Sequence, residues 1–523
     1  MSETANAVLA KLRAPGFRKW LVTLAVMPGT FLSVMDITVV NTAMPHMMGS
    51  LGQTLSDIAW VGTAYSIAEI MMITMAGWWS TVLGRRRLLL GSMALFAAAS
   101  VLCGQAHTFG ELLAFRVLQG VGGGALIPIS QAVLRETFPP EEQGLAMGIY
   151  GMGVVVAPAI GPVLGGWLTD NYGWRWVFYI NPPIAVGGIL LAAALVWDPP
   201  FLRRTIKRVD WAGIGLLATG LTSLQIVLER GQEKNWFASR QICWGFAAAV
   251  VSLVALVAWE LRADEPVVDF RLFRDAPLAA GSAIAFITSM ALFGTTFLMP
   301  QMLQNLMGYT AYQSGIALLP RALILFALMP VVGRLYNRVD ARLLIGGGLC
   351  VLFLSYWQLA HLATSFAFRT LVPIMLVMGS GQPFTFVTLS TVALGGVEKK
   401  DLTTAASLYT LSRRVGGNIA YALMATVVDR RAQFHHARLA ESLGMTRPAV
   451  QAFRAGLAGD LVRSGVPRAA AQAKALGLLD AMVDRQAVFM SYNDSAWIMG
   501  LIVLATLPFV LLLPGRKERK APS

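Results

Sequence analysis

The chain has 523 residues, of which 56% are hydrophobic and only 13% are charged. A mean hydropathy of +0.61 and recurring apolar runs of ~20 residues exclude an ordinary soluble protein. The net charge of +14 would suggest a nucleic-acid partner in a soluble chain, but here the basic residues cluster in alternate loops, which excludes that interpretation. The three cysteines lie singly in apolar runs, so no disulfide framework and no metal site are predicted.

Each apolar run must satisfy its own backbone hydrogen bonds in lipid, so we interpret each one as a spanning helix. About fourteen such helices are predicted, which makes the fold class an all-α polytopic membrane protein. The predicted spans are 20–43, 57–80, 88–105, 109–132, 143–168, 175–197, 210–229, 241–261, 277–300, 313–334, 342–362, 370–394, 402–428 and 492–514. The first run is too long for a secretory signal, and no signal peptide is expected.

The distribution of basic residues predicts the orientation. Lys and Arg are frequent in one set of loops, for example at Arg85–Arg87 and Lys399–Lys400. The opposite loops near 44–56, 105–109 and 300–312 contain neither residue. The positive-inside rule therefore places both termini in the cytoplasm, and an even number of spans agrees with that.

Two short loops resemble each other and indicate an internal repeat. Gly77–Arg87 reads GWWSTVLGRRR and Gly333–Arg342 reads GRLYNRVDAR, each with a Gly at a helix end and Arg within the next turn. We interpret this as two six-helix halves of the kind that transporters use, with an inserted helix pair between them. The predicted organisation is a cytoplasmic amino terminus (1–19), a first bundle (20–197), a cytoplasmic linker (198–209), the inserted pair (210–261), a second bundle (277–514) and a cytoplasmic carboxyl terminus (515–523).

The first span carries an ionisable residue, Asp36, within LSVMDITVVNTAMP. A charge in the bilayer is expensive and usually functional, so Asp36 is a candidate proton carrier. Arg116 in the fourth span needs a counter-charge, and Asp36 and Glu69 are its candidate partners. The alternative is an ion pair with a purely structural role.

Two further spans carry unusual residues. The fifth contains GMGVVVAPAIGPVLGG, in which small residues permit close helix packing and two prolines predict a bend at Pro158 and Pro162. Arg413 and Arg414 lie about 15 Å inside the thirteenth span. They either face a cavity, pair with a carboxylate elsewhere or extend toward the interface.

Aromatic and amide side chains within the spans are candidates for lining a substrate cavity, although ordinary packing would explain any one of them. Together with Arg413, these candidates are Tyr65, Gln225, Gln301, Gln304, Gln382, Phe384, Phe386 and Tyr409. The flexible side chains of Met71, Met72 and Met75 add an adaptable apolar surface.

One long segment, 429–491, does not span the membrane and falls on the outer side. Val450, Phe453, Leu457 and Leu461 follow a helical period, and so do Leu476, Leu479 and Val483. Two amphipathic helices are therefore predicted. Their apolar faces cover the transporter itself, the lipid interface or a partner.

Taken with these motifs, the chain resembles the major facilitator superfamily, and specifically its fourteen-helix drug:proton antiporter branch of the EmrB/QacA type. Asp36, Thr38, Asn41 and Pro45 are similar to the first-helix signature of that branch. The residues that are similar to its loop, helix-four and helix-five motifs are Gly77, Gly84, Arg85, Arg86, Arg116, Gln119, Gly120, Gly124, Gly153, Pro158, Gly161, Pro162, Gly165 and Gly166. The chain departs from the family at Thr81 and Asn337, where the loop usually has an acidic residue.

The resemblance implies the major facilitator fold and the export of lipophilic or cationic drugs and toxic compounds by alternating access, driven by the proton motive force with no other cofactor. The EmrB-type members also imply a Gram-negative inner membrane, a periplasmic adaptor (membrane-fusion) protein and an outer-membrane channel. Two alternatives remain: an exporter of one metabolite such as a siderophore, lipid precursor or amino acid, and a non-transporting membrane sensor. The sequence has no Walker-type phosphate loop and no catalytic constellation, so no enzyme is predicted.

Overall fold

The computed structural model describes residues 15–198, 209–363, 368–443 and 447–515, and these residues form helices without any strand. The predicted terminal segments 1–19 and 515–523 and the linker 198–209 lie largely outside the described residues. Most of the chain is helical because, in lipid, the backbone N–H and C=O groups of a long apolar run can form hydrogen bonds only with each other.

The first bundle contains seven long helices, two of which, α4 and α5, form one predicted span with a break at Ala125. Four-residue helices at Leu55–Ile58 and Trp176–Tyr179 connect longer ones. The long helices are α1 (Pro15–Leu51), α2 (Trp60–Leu83), α3 (Arg85–Gln105), α4 (Phe109–Gly124), α5 (Leu126–Thr137), α6 (Gln143–Tyr172) and α7 (Asn181–Leu195).

The remaining helices form the inserted pair and the second bundle. The inserted pair is α8 (Trp211–Arg230) and α9 (Arg240–Glu260). The second bundle and its extension contain α10 (Ala276–Asn305), α11 (Ala311–Leu335), α12 (Ala341–Ala360), α13 (Phe368–Ala393), α14 (Leu402–Ser442), α15 (Pro448–Arg463) and α16 (Arg468–Ala505).

Thirteen helical segments of the described residues are long and apolar enough to cross a membrane. The predicted span 402–428 is not among them, although it lies within the continuous helix α14. Polar side chains, including Arg413, Arg414 and Asn418, lower its hydropathy. Its burial between α10, α2 and α16 explains how a less apolar helix is accommodated in the bundle.

Each bundle has its own apolar core. One core contains only first-bundle residues, from Leu32 to Ala185, and another contains only residues from Ile284 to Leu513. A third core joins the bundles, because Leu325, Met329 and Phe386 pack with residues of α1, α5 and α6. The fold is therefore two six-helix bundles and an inserted pair, as predicted.

Several close contacts join the bundles at one end, which we call the Arg85 end. Gly77 of α2 packs directly against Thr404 of α14, and Gly144 of α6 packs against Gly333 of α11. Arg135 Nη1 donates a hydrogen bond of 3.0 Å to the carbonyl of Thr391. The two repeated glycines identified in the sequence therefore occupy equivalent cross-bundle contacts, where a larger side chain would not fit.

The opposite end carries a helical extension built from the end of α14, the whole of α15 and the beginning of α16. Both amphipathic stretches are helical, but the second is continuous with the final span, whereas the sequence had suggested a separate helix. Asp494 of α16 accepts hydrogen bonds from Arg431 at 2.5 Å and from His435 at 2.6 Å, which ties α14 to α16. Val450, Leu479 and Val483 are buried, whereas Phe453 is 51% exposed.

Candidate functional site

The centre of the first bundle contains a buried ion pair. Arg116 Nη1 on α4 lies 2.5 Å from Asp36 Oδ2 on α1, and both side chains are almost fully enclosed. Arg116 Nε donates to the carbonyl of Val61 at 3.0 Å, and the guanidinium lies 4.3 Å from the centre of the Tyr65 ring. Of the two candidate partners for Arg116, the structure therefore pairs it with Asp36.

The second oxygen of Asp36 also has partners. Gln119 Nε2 donates to Asp36 Oδ1 at 2.9 Å, and Asn181 Nδ2 donates to the same oxygen at 3.0 Å. Ser100 Oγ accepts from both amides. Three donors therefore satisfy the two oxygens of Asp36, and these hydrogen bonds offset the cost of burying the group.

Asn181 was missed as a site residue by the sequence analysis. It lies in WRWVFYINPP, at the first turn of α7, and is completely buried. A polar amide surrounded by apolar residues within a predicted span was the available signal. Its partner is not visible from sequence, because Asn181 and Asp36 are 145 residues apart.

A second ion pair connects the two bundles. Glu69 Oε1 on α2 lies 2.8 Å from Arg414 Nη2 on α14. Ser33 Oγ donates to the same Glu69 oxygen at 3.0 Å, and Tyr65 Oη donates to the carbonyl of Ser33 at 3.2 Å. Glu69 is therefore the partner of Arg414 rather than of Arg116, and Tyr65 lies between the two pairs.

A narrow cleft lies mainly within the second bundle and reaches Val155 of α6. Four of the candidate cavity residues line it: Gln382, Phe386, Tyr409 and Arg413. The Arg413 guanidinium lies 4.4 Å from the centre of the Phe386 ring.

Other cavity candidates lie elsewhere. Tyr65 belongs to the ion-pair cluster, and Gln225 bridges Glu229 and Asn418 with hydrogen bonds of 2.6 Å each. Phe384 packs close to Gly348 of α12, and Gln301 lies near the end of α10 without lining the cleft. Periodicity cannot distinguish these positions, because which face of a helix meets a cavity depends on its neighbours.

The loop residues at the Arg85 end bind both bundles. Arg85 pairs with Glu136, and its Nη2 donates to the carbonyl of Lys399 across the interface at 2.8 Å. The Arg86 backbone amide donates to Asp198 Oδ1 at 2.8 Å. Gly84 has φ +84, a conformation that favours glycine between two consecutive helices.

Thr81 and Asn337, where the chain departs from the family pattern, form different contacts. Thr81 Oγ1 donates to the carbonyl of Trp78 at 2.8 Å, within its own helix. Asn337 donates to the carbonyl of Glu141 and so connects the bundles. The acidic partner of this loop's Arg85 is Glu136, more than fifty positions downstream.

Small residues allow close approach of α6 and α4 to their neighbours. Gly161 and Gly165 pack against Thr38 and Val39 of α1, and Gly120 packs against the backbone of Tyr65. Pro158 and Pro162 lie inside α6, which remains one helix through both. Gly166 differs from the others, because a Cβ there would meet open space.

The chain is similar to several known proteins. The Major Facilitator Superfamily profile matches residues 26–421. The multidrug export protein EmrB of Escherichia coli K12 is 34% identical over 94% of each chain. The fatty acid resistance protein FarB of Neisseria gonorrhoeae is 31% identical over 94% of each chain. The human organic anion transporter MFSD10 (TETRAN) shares the fold, with a TM-score of 0.57 and 13% identity over 93% of this chain and 99% of that one.

These matches define a class of membrane transporter rather than an enzyme. The chain belongs to the major facilitator superfamily, as an EmrB-like permease.

Proposed function

We propose that this protein exports lipophilic compounds, including drugs, in exchange for protons. The relatives named for multidrug export and fatty acid resistance align over nearly the whole chain and support this class of substrate. The observation that carries the proton coupling is the pair of buried carboxylates, Asp36 and Glu69, each bound to an arginine within the membrane-spanning region.

Asp36 acts as the principal proton carrier in this mechanism. A proton on Asp36 removes its attraction to Arg116 and converts a hydrogen-bond acceptor into a donor, so the network with Gln119 and Asn181 must rearrange. Asp36 lies in α1, which packs along α6, so rearrangement of the network is transmitted to the helix that contacts the second bundle.

Glu69 connects protonation to the relative position of the bundles. Protonation of Glu69 weakens its attraction to Arg414, and this attraction holds α2 to α14. The loss of one cross-bundle interaction favours separation of the bundles at that level, which is the change that alternating access requires. Substrate in the neighbouring cleft then gains access to the opposite side.

The charge pattern supports an orientation with the Arg85 end and both termini in the cytoplasm. In this orientation the contacts of Gly77 with Thr404 and of Gly144 with Gly333 close the cytoplasmic side of the transporter. With a Gram-negative inner membrane as the setting, the helical extension lies in the periplasm.

The coupling proposal is tested by Asp36→Asn, which preserves shape and removes the titrating group. Proton-driven drug transport should be lost in everted membrane vesicles with an imposed pH gradient, while the protein still inserts. Asp460→Asn, at an exposed position of α15, is the matched control and should transport normally. Gradient-driven transport by Asp36→Asn at the wild-type rate would refute the role of Asp36.

We further propose that the extension binds a periplasmic adaptor, which connects export to an outer-membrane channel. The support is the set of apolar side chains exposed on α15 and α16, Phe453, Leu476 and Met482, which the extension itself leaves uncovered. Replacing these three by Ser should abolish resistance in whole cells and spare transport in proteoliposomes. Loss of both activities would instead assign them to the transporter's own fold, and loss of neither would contradict docking.

A further inference from the structure

The first helix of the inserted pair, α8, contacts both bundles along its length. In its inner half, Leu217 and Leu221 belong to one apolar cluster with Trp78 of α2 and Leu408 of α14. In its outer half, toward the end that carries the helical extension, its contacts are polar. The polar contacts with α14 differ in kind from those with α2, and this difference indicates which bundle the inserted pair follows.

Three hydrogen bonds fasten the outer end of the inserted pair to the second bundle. The partners on α14 are spread over about three turns of that helix, so they hold α8 along a line rather than at one point. The pairs are Asn418 with Gln225 at 2.6 Å, Thr426 with Trp236 at 3.0 Å and Asp429 with Gln232 at 2.7 Å.

The loop after α8 has a strained backbone beside one of these contacts. Asn235 has φ +55 and Trp236 has φ +50, a left-handed conformation that a bulky residue such as Trp rarely adopts. Such strain persists where the surrounding contacts hold it, and the hydrogen bond from the Trp236 indole to Thr426 is one of them. The outer end of the inserted pair is therefore seated firmly on α14.

A carboxylate of α8 makes the corresponding contact with the first bundle. Glu229, in the last turn of α8, accepts a hydrogen bond from the Thr63 hydroxyl of α2 and another from Gln225 Nε2 at 2.6 Å. Gln225 Oε1 in turn accepts from Asn418 of α14. The four side chains form a continuous connection from α2 to α14, which we call the outer bridge.

The charge of Glu229 determines the strength of the outer bridge. As a carboxylate, Glu229 accepts charge-assisted hydrogen bonds, which are roughly twice as strong as neutral ones. A proton removes the charge and converts one acceptor oxygen into a donor, so the contacts with Thr63 and Gln225 become neutral and must rearrange. Glu229 is exposed, so protons from the outer solution reach it directly.

Other groups near Glu229 keep their charge or are neutral. Arg230, the next residue of α8, is a charged neighbour, and its guanidinium lies 4.8 Å from the centre of the Trp60 ring of α2. An arginine stays protonated, so this contact does not titrate. Thr63 of α2 is neutral, and Asp429 of α14 is bonded to the loop beyond α8.

We propose that Glu229 is a positioning residue that holds α2 against the inserted pair and closes the outer end of the seam between α2 and α14. A proton from the outer solution releases α2, while the inserted pair stays with α14. The inference rests on the proposed alternating access and identifies where the outer side opens. Glu69 and Arg414 join the same two helices about 9 Å deeper, so this opening gives the outer solution a route toward them.

Distances between spin labels in the full-length protein, in phosphatidylcholine nanodiscs, test the movement. Cysteine labels are placed at three exposed positions: Ala59 before α2, Lys234 after α8 and Ala437 on α14. The exposed Cys243 and Cys350 are replaced by Ser. The distances are compared at about pH 8 and about pH 5, a range over which exposed carboxyl groups begin to take up protons.

The two distances should respond differently to acid. The 24 residues of α2 span about 36 Å, so a tilt of about 10° about the inner end moves the outer end by about 6 Å. The distance between Ala59 and Lys234 should lengthen by about this amount at the lower pH. The distance between Lys234 and Ala437 should stay the same, because both labels lie on the unit that moves together.

Four variants assign the response to the outer bridge. Glu229→Gln carries no charge at either pH and should show the longer distance between Ala59 and Lys234 already at about pH 8, with little further change. Thr63→Val removes the donor on α2 and should lengthen the same distance. Glu229→Asp retains a carboxylate and should keep the response to pH. Asp170→Asn, at an exposed acidic position near the outer end of α6, is the matched control and should behave like the wild type.

A constant distance between Ala59 and Lys234 in the wild type, or an undiminished pH response in Glu229→Gln, would overturn the proposal. An acid-induced change between Lys234 and Ala437 would overturn it as well, because the inserted pair would then not move with α14. If Glu229→Gln does not fold, Thr63→Val and the wild-type distances still decide.

A parallel assay of proton-driven transport separates this inference from the proposed function. The expected distance changes without transport would refute export and keep the outer bridge as a proton-sensitive contact. Transport with both distances constant would refute only the role of the outer bridge.

Discussion

The ion pair between Glu69 and Arg414 permits a quantitative test, because it joins two bundles that the proposed mechanism separates. At 2.8 Å and an effective dielectric constant of about 20, the Coulomb attraction is about 6 kcal/mol before desolvation. Desolvation of both charges offsets much of this attraction. Removing one partner leaves the other uncompensated, and for a buried pair this costs about 3–5 kcal/mol.

The two single variants are expected to differ. The Glu69 side chain is 1% exposed and that of Arg414 is 16% exposed. Arg414→Gln therefore leaves the more deeply buried charge without a partner and should reduce the free energy of unfolding by about 3 kcal/mol or more. Glu69→Gln leaves a cation that reaches solvent more easily and should cost less. The double variant should be more stable than the sum of the single losses predicts.

Unfolding by sodium dodecyl sulfate in mixed micelles measures these changes for the wild type, both single variants and the double variant. The expected interaction energy from this double-mutant cycle is about 1–3 kcal/mol. Additive losses within about 0.5 kcal/mol would show that the two side chains do not interact, and would refute the cross-bundle contact as a coupling element.

Three other predictions concern the hydrogen-bond network of Asp36 and the packing of α6. Arg116→Lys should reduce proton-driven transport strongly at near-normal expression, because one ammonium group cannot reproduce the planar contacts to Asp36, Gln119 and Val61; vesicle transport at the wild-type rate would contradict this. Asn181→Ala should reduce proton-driven transport, since Asp36 Oδ1 loses one of its two amide donors; vesicle transport at the wild-type rate would assign Asn181 to packing alone. Gly161→Ala should cost about 1–3 kcal/mol on micellar unfolding because it crowds Thr38, whereas Gly166→Ala, which faces open space, should be neutral; equal stabilities would contradict the packing argument.

Much of the fold follows from hydropathy, because spanning helices leave long apolar runs. Asp36 and Arg116 could be recognised from sequence for the same reason: a charge within such a run stands out. The choice between Asp36 and Glu69 as the partner of Arg116 could not be made, since it depends on which helix faces point at each other. For the same reason, the sequence does not show that Arg413 lines the cleft and that Gln225 does not.

Another difference between prediction and structure concerns the boundary of the last helix. The stretch before the final span has an amphipathic pattern, and the span itself is uniformly apolar, so a boundary between them was expected. The structure continues one helix through both, because no proline or glycine cap interrupts the chain between Asp484 and Ala496. Sequence periodicity does not identify Asn181 as a site residue, because a single amide has no periodicity.

The length of α14 has a mechanical consequence. Its 41 residues span about 60 Å at 1.5 Å per residue, roughly twice the thickness of the hydrocarbon core. The hydrogen bonds from Arg431 and His435 to Asp494 tie α14 to α16, so the end of α14 that forms the extension moves together with α16. A tilt of the second bundle by about 10° would displace a point 40 Å along this arm by roughly 7 Å. Small rotations at the level of Arg414 would therefore become larger displacements at the far end of α14. These displacements are large enough to change the contacts of α14 with a molecule bound there.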